Sequence, residues 1–157
     1  KGITNENFAI NHPAGIIGKR LSLKVEDIMI DICDLPLVYN SSNLRSIILS
    51  ITSLEENKKG VGFTLVKNKK DTSFIGLITD GDLRRALSKN MTGDWDNIIA
   101  ENICTKNPRT IDKNSTVIDA IKKMEKNKPG SITCLGVTSY KEVIGFITMN
   151  DVLKINN

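Results

Sequence analysis

Apolar residues along this chain keep two rhythms. Leu44, Ile47, Ile48 and Ile51 hold the three-and-four spacing of one helix face, and Val117, Ile118, Ile121 and Met124 hold it again further on. Polar start signals stand ahead of each stripe: Ser42 or Asn43 before the first and Ser115 before the second. Denser runs of strand type follow, "VGFTLV" and "SFIGLIT" after the first helix, "SITCLGV" and "VIGFIT" after the second, joined by polar turns. Short extended pieces, "LPLV" and "PRTI", precede the two helices, and "GDLRRALSK" and "NDVLKIN" close each series as a further helix.

The pattern is therefore β-α-β-β-α written twice, an α/β (α+β) fold class built from an internal repeat. Each copy opens on a short helical element ending in an apolar pair, "VEDIM" and "AENIC". Residues 25–90 form the first repeat and 100–157 the second, with 91–99 as the connection and 1–24 as a lead-in. One unit of about 60 residues buries too little surface to be robust alone, so the copies are expected to pack sheet against sheet about a pseudo-twofold axis. The connection is expected to hold a short helix around Trp95, with the indole plugging the seam between repeats rather than stacking on a ligand.

Composition narrows the function classes. The chain has 157 residues, 39% of them apolar and 25% charged, and contains no apolar run of membrane-spanning length or signal-like start. A soluble, cytoplasmic protein is expected. The net charge of +4 is spread over loops such as Lys67, Lys69 and Lys70, and only 4% of residues are aromatic, which argues against a nucleic-acid surface. Cys33, Cys104 and Cys134 lie far apart without metal-ligand spacing, and the single histidine, His12, belongs to no cluster. Buried reduced thiols are expected, with no metal.

The feature written twice with most chemistry in it is a corner, G-x-[IL]-T-x-x-D-[LV]: Gly76, Thr79, Asp82 and Leu83, then Gly145, Thr148, Asp151 and Val152. The threonine ends a strand and the aspartate falls in the first helical turn, where it caps free amides and is favoured by the helix dipole. Capping alone accounts for either aspartate taken singly. Two such corners also offer carboxylates that can accept ribose hydroxyls, with threonine hydroxyls and amides for phosphate. Arg84 and Arg85 stand beside the first corner and at least one is expected to pair with a carboxylate; Leu153 and Lys154 replace them in the second, so the two clefts are not chemically equal.

The doubled unit and its G-x-x-T-x-x-D signature resemble a tandem pair of cystathionine-β-synthase (CBS) domains over about residues 25–155. The stretches "NHPAGIIGKRLSLKVEDIM" and "TDGDLRRAL" further resemble the arabinose-5-phosphate isomerases of capsule and Kdo synthesis, with Ala14 where that family usually has glycine. The resemblance implies a regulatory nucleotide-binding module attached to a sugar isomerase domain that these residues do not contain. The chain itself would then be no enzyme. Its parent would interconvert ribulose 5-phosphate and arabinose 5-phosphate, as a homodimer or tetramer. His12 would join the active site only in the full-length enzyme.

For the effector, the resemblance implies an adenine nucleotide (AMP, ADP or ATP) or the end product CMP-Kdo, with no cofactor required. Thr79, Asp82, Thr148 and Asp151 would hold ribose and phosphate, helped by Arg84 and Arg85. Backbone groups around Val38 and Ile111 would recognise the base, with apolar cover from Ile28 and Met29. The rival reading is a ligand-free oligomerisation module of the same enzyme.

Overall fold

The alternation of apolar stripes becomes regular structure where the sequence places it. The computed structural model describes residues 22–52, 61–89, 93, 95–126 and 132–154. Its elements are β1 (Ile30–Asp31), β2 (Leu37–Tyr39), α1 (Leu44–Thr52), β3 (Phe63–Lys67), β4 (Phe74–Thr79), α2 (Asp80–Lys89), α3 (Ala100–Ile103), β5 (Thr110–Asp112), α4 (Val117–Glu125), β6 (Cys134–Ser139), β7 (Glu142–Thr148) and α5 (Met149–Lys154). Short 3-10 turns at Val25–Asp27, Ile32–Asp34 and Trp95–Asn97 complete them. His12 and the rest of the lead-in up to residue 21 lie outside the described residues.

Two units emerge among the described residues, a middle one within Cys33–Pro108 and a terminal one that joins the described residues up to Ile32 with those from Arg109 onward. In the middle unit the sheet order is β2-β3-β4, with β2 parallel and β4 antiparallel to β3. Ile47 and Ile51 of α1, Ile78 of β4 and Leu83 of α2 close its core with Val38 and Val66. The terminal unit orders its strands β1-β7-β6-β5, with β5 parallel to β6 and the other pairs antiparallel. Val117 and Met124 of α4, Ile147 of β7 and Val152 of α5 pack there with Val25.

Val25 belongs to the opening segment of the first repeat, yet it lies in the core built from the second. Each unit takes its opening segment from the other copy. The amides of Val25 and Glu26 donate to the carbonyls of Ser115 (2.8 Å) and Lys113 (3.1 Å), and those of Ala100 and Glu101 donate to Ser42 (2.9 Å) and Asn40 (3.0 Å). Beyond them, Ile30 and Asp31 pair with Phe146 and Gly145, while Thr105 exchanges amide bonds with Leu77 at 2.8 and 3.1 Å.

The glycine of the repeated corner makes this exchange possible. A Cβ built on Gly145 would fall inside the carbonyl oxygen of Ile30, and one on Gly76 inside that of Thr105. Only a residue without a side chain lets the visiting backbone come so close.

Three local expectations differ from the structure. The N-cap of α4 is Thr116 rather than Ser115, because the Thr116 hydroxyl accepts the Asp119 amide. Ile48 and Ile118 sit on the edges of their stripes and are exposed, the buried faces being narrower than the apolar pattern. Trp95 is 49% exposed and lines a surface groove with Leu44, Ile48 and Leu49 instead of filling a seam.

The α4 cap yields a pH prediction. The Thr116 hydroxyl (2.7 Å) and amide (3.2 Å) both donate to Asp119 Oδ2. Those bonds, the hydroxyl's first, hold the exposed Asp119 carboxyl below its ordinary range. A depressed carboxyl stabilises the fold above its unfolded pKa of about 3.9 and loses that contribution as pH falls through the folded value. Thr116→Val should therefore cost about 1 kcal/mol at neutral pH. In urea titrations the gap to wild type should shrink below about pH 4; a gap that ignores pH would contradict this origin.

Candidate functional site: the two strand-to-helix corners

β4 ends at Thr79 and α2 begins at once, so Thr79 and Asp82 meet across the first helical turn. The Thr79 amide and hydroxyl donate to Asp82 Oδ2 at 2.9 and 2.7 Å, and the Asp82 amide donates back to Thr79 Oγ1 at 3.2 Å. The terminal unit repeats this at Thr148 and Asp151 with distances of 2.9, 2.6 and 3.2 Å. Both are reciprocal caps of the kind that satisfies orphan amides at a helix start.

The same box also occurs at Thr116 and Asp119. Its presence on an ordinary surface helix shows that threonine-aspartate geometry by itself is a folding device. What separates the two corners from it is their place at the end of a buried strand: Asp82 is 9% and Thr148 6% exposed.

The corners differ in what reaches the aspartate's other oxygen. Arg85 Nη2 donates to Asp82 Oδ1 at 2.6 Å, and Thr105 Oγ1 stands 3.4 Å from the same oxygen. At the second corner Lys154 takes the place of Arg85 and Ile30 that of Thr105. Asp151 makes no ion pair among the described residues, and its Oδ1 accepts no hydrogen bond there. Arg84 is engaged elsewhere, in an exposed i,i+4 pair with Asp80 at 3.0 Å.

The apolar candidates are set into the cores. Val38 and Ile111 are buried in the middle and terminal units, and Ile28 and Met29 pack half-buried against the terminal core. Sequence reading missed Thr105, Lys89, Asn97 and Asn102. Lys89, Asn97 and Asn102 line a cavity of about 360 Å3 with Asp82, Arg85 and Ile103, between α2 and the segment 97–103. Aligning "AENICT" with "VEDIMI" would have singled out Thr105 as the polar substitute for Ile30.

Among the described residues no cluster of potential ligands could hold a metal ion, and no helix is long and apolar enough to cross a membrane. None of the cysteines is in a disulfide; Cys134 is buried, Cys33 is exposed against expectation because it sits on a surface 3-10 turn, and burial pushes the Cys104 thiol up.

Comparison with known proteins agrees with this architecture. The CBS domain family model matches residues 100–156. Arabinose 5-phosphate isomerase KdsD of Francisella tularensis is 38% identical over 99% of this chain, and that of Pseudomonas aeruginosa 34% identical over 98%. The chain spans 44% of the length of each.

Among solved structures, a conserved protein from Pyrococcus horikoshii superposes with a TM-score of 0.71 at 21% identity, covering 87% of this chain and 94% of its own. CBSX2 in complex with AMP gives 0.61 at 20% identity, covering 85% and 95%. The CBS domain of a bacterial CNNM/CorC family Mg2+ transporter in complex with ATP gives 0.67 at 13%, covering 90% and 92%. These likenesses establish the fold. Residues 100–156 are thus matched to the CBS domain family, the chain shares its fold with CBS-domain structures, and the arabinose 5-phosphate isomerases are its sequence relatives.

Proposed function

We propose that the chain is the regulatory nucleotide-binding module of an arabinose 5-phosphate isomerase, sensing an adenine nucleotide in the cytoplasm. The observation that carries this reading is the doubled corner, which in each unit gathers a threonine hydroxyl, a carboxylate and first-turn amides at a strand end. Carboxylates accept the two hydroxyls of a ribose, and hydroxyls and amides suit phosphate. The complexes of CBSX2 with AMP and of the transporter CBS domain with ATP support the same ligand class.

Catalysis belongs, in this reading, to the part of the relatives that the chain does not span, where ribulose 5-phosphate and arabinose 5-phosphate are interconverted. His12 contributes to that chemistry only in the complete enzyme. Effector binding regulates by favouring one placement of the catalytic domain, an effect of about 1–3 kcal/mol in typical coupled systems. The corners hold the ribose through Asp82 and Asp151 and the phosphate through the basic side chains beside them, while Thr79 and Thr148, whose hydroxyls donate to the aspartates, position those carboxylates.

Calorimetric titration of the 157-residue chain with AMP, ADP, ATP and CMP-Kdo tests the reading. At 100 times its dissociation constant a bound adenine nucleotide should raise the unfolding free energy by about 2.7 kcal/mol. A response to CMP-Kdo alone would move the effector from an adenine nucleotide to a nucleotide sugar. No heat and no melting shift with any of the four, from a chain that remains an intact oligomer in light scattering, would instead favour a ligand-free assembly module.

A further inference from the structure

We infer that Arg85 is a latch on the first corner, making a phosphate group a requirement for binding at Asp82, and that the cavity beside α2 receives that phosphate. The inference rests on the nucleotide reading and adds to it a ligand-selecting residue and a subsite.

An ionised carboxylate offers about four acceptor positions. Those of Asp82 are spoken for: Oδ2 by the Thr79 amide and hydroxyl, Oδ1 by Arg85 at 2.6 Å with the Thr105 hydroxyl at 3.4 Å. The Thr79 bonds form the helix cap and cannot be released without fraying α2. A ribose diol can reach this carboxylate only by displacing Arg85 from Oδ1. The Arg85 side chain is 68% exposed, so solvent gives it room to leave, while the Asp82 side chain is 10% exposed and tied to the cap.

Displacement breaks a charge-assisted bond, and a bare nucleoside brings no anion to replace it. A nucleotide does. The cavity of about 360 Å3 is lined by Arg85 and Lys89 of α2 and by the amide-bearing Asn97 and Asn102, with Asp82 the only carboxylate among the described residues of its wall. A phosphate there gives the released guanidinium a new bidentate partner while the diol takes its former place on Asp82. Arg84 does not line this cavity and makes its ion pair with Asp80 at the surface. The second corner has no such latch, since Lys154 leaves Asp151 unpaired among the described residues.

The test compares AMP with adenosine by calorimetry in a chain carrying Asp151→Asn, which confines the readout to the Asp82 corner, and adds Arg85→Gln or Arg85→Lys. AMP should bind at least about tenfold more tightly than adenosine. Arg85→Gln should bring the two within about threefold, by weakening AMP and strengthening adenosine, whereas Arg85→Lys keeps the preference. Melting curves verify that each variant is folded. An unchanged AMP-to-adenosine ratio in Arg85→Gln overturns the latch. So does loss of all AMP binding on Asp151→Asn alone in a chain whose wild type binds it, although the nucleotide reading then stands. Absence of AMP and adenosine binding in the wild type overturns both.

Discussion

Replacing Ile78 or Ile147 by alanine is expected to cost about 2–5 kcal/mol, the range for large-to-small changes at buried aliphatic sites. Both are fully buried, and each stands directly before the threonine of its corner. Ile78 packs in the core of the middle unit and Ile147 in that of the terminal unit. Loss of that size is a large share of the stability of an ordinary domain, about 5–15 kcal/mol. The valine variants, which remove one methylene, should cost only about 0.5–1.5 kcal/mol. Chemical denaturation gives the totals. Hydrogen exchange gives the location: Ile78→Ala should lower protection in β3 and β4 most, and Ile147→Ala in β6 and β7. Equal losses throughout the chain from either variant would show that the cores are not separate.

Gly145→Ala and Gly76→Ala follow, at about 1–3 kcal/mol each. In β-type backbone an alanine normally gains about 0.4–1 kcal/mol by restricting the unfolded chain. Here that gain is outweighed, because the new methyl meets the carbonyl oxygens of Ile30 and Thr105, and backbone cannot turn aside as a side chain can. The expected structural consequence is release of the visiting strand, with loss of the Ile30–Phe146 pairing in one variant and the Leu77–Thr105 amide bonds in the other. Gly136→Ala is the internal control. The nearest atoms to its Cβ would be a Thr110 methyl at 3.3 Å, which a side chain can yield, and a Phe146 ring carbon and a carbonyl at ordinary distance. A Gly136→Ala loss as large as that of Gly145→Ala would remove backbone approach as the reason for the repeated glycine.

The glycine shows what a pattern can reveal without explaining. Gly76 and Gly145 recur in the sequence at matching places, but the atoms that require them belong to residues far away along the chain. The same holds for the corners. The threonine-aspartate box follows from local helix geometry, and the spacing alone exposed it. That Arg85 closes over Asp82 while Asp151 meets no such partner among the described residues depends on side-chain reach and on Thr105, a neighbour brought in by the exchanged segment. The broad apolar stripes of α1 and α4 likewise identified helices, though only packing decided that Ile48 and Ile118 would remain outside.

By itself, the sequence determined the order of elements, the duplication, both corners and the chemical kinds of group they present. Those are short-range matters, fixed by periodicity, turn residues and caps within a few positions of one another. Tertiary structure alone decided which opening segment belongs to which sheet, why a glycine precedes each corner, and which aspartate is latched. Contacts between residues distant in sequence leave no periodic trace, and a carboxylate's availability is settled by whatever else reaches it in three dimensions.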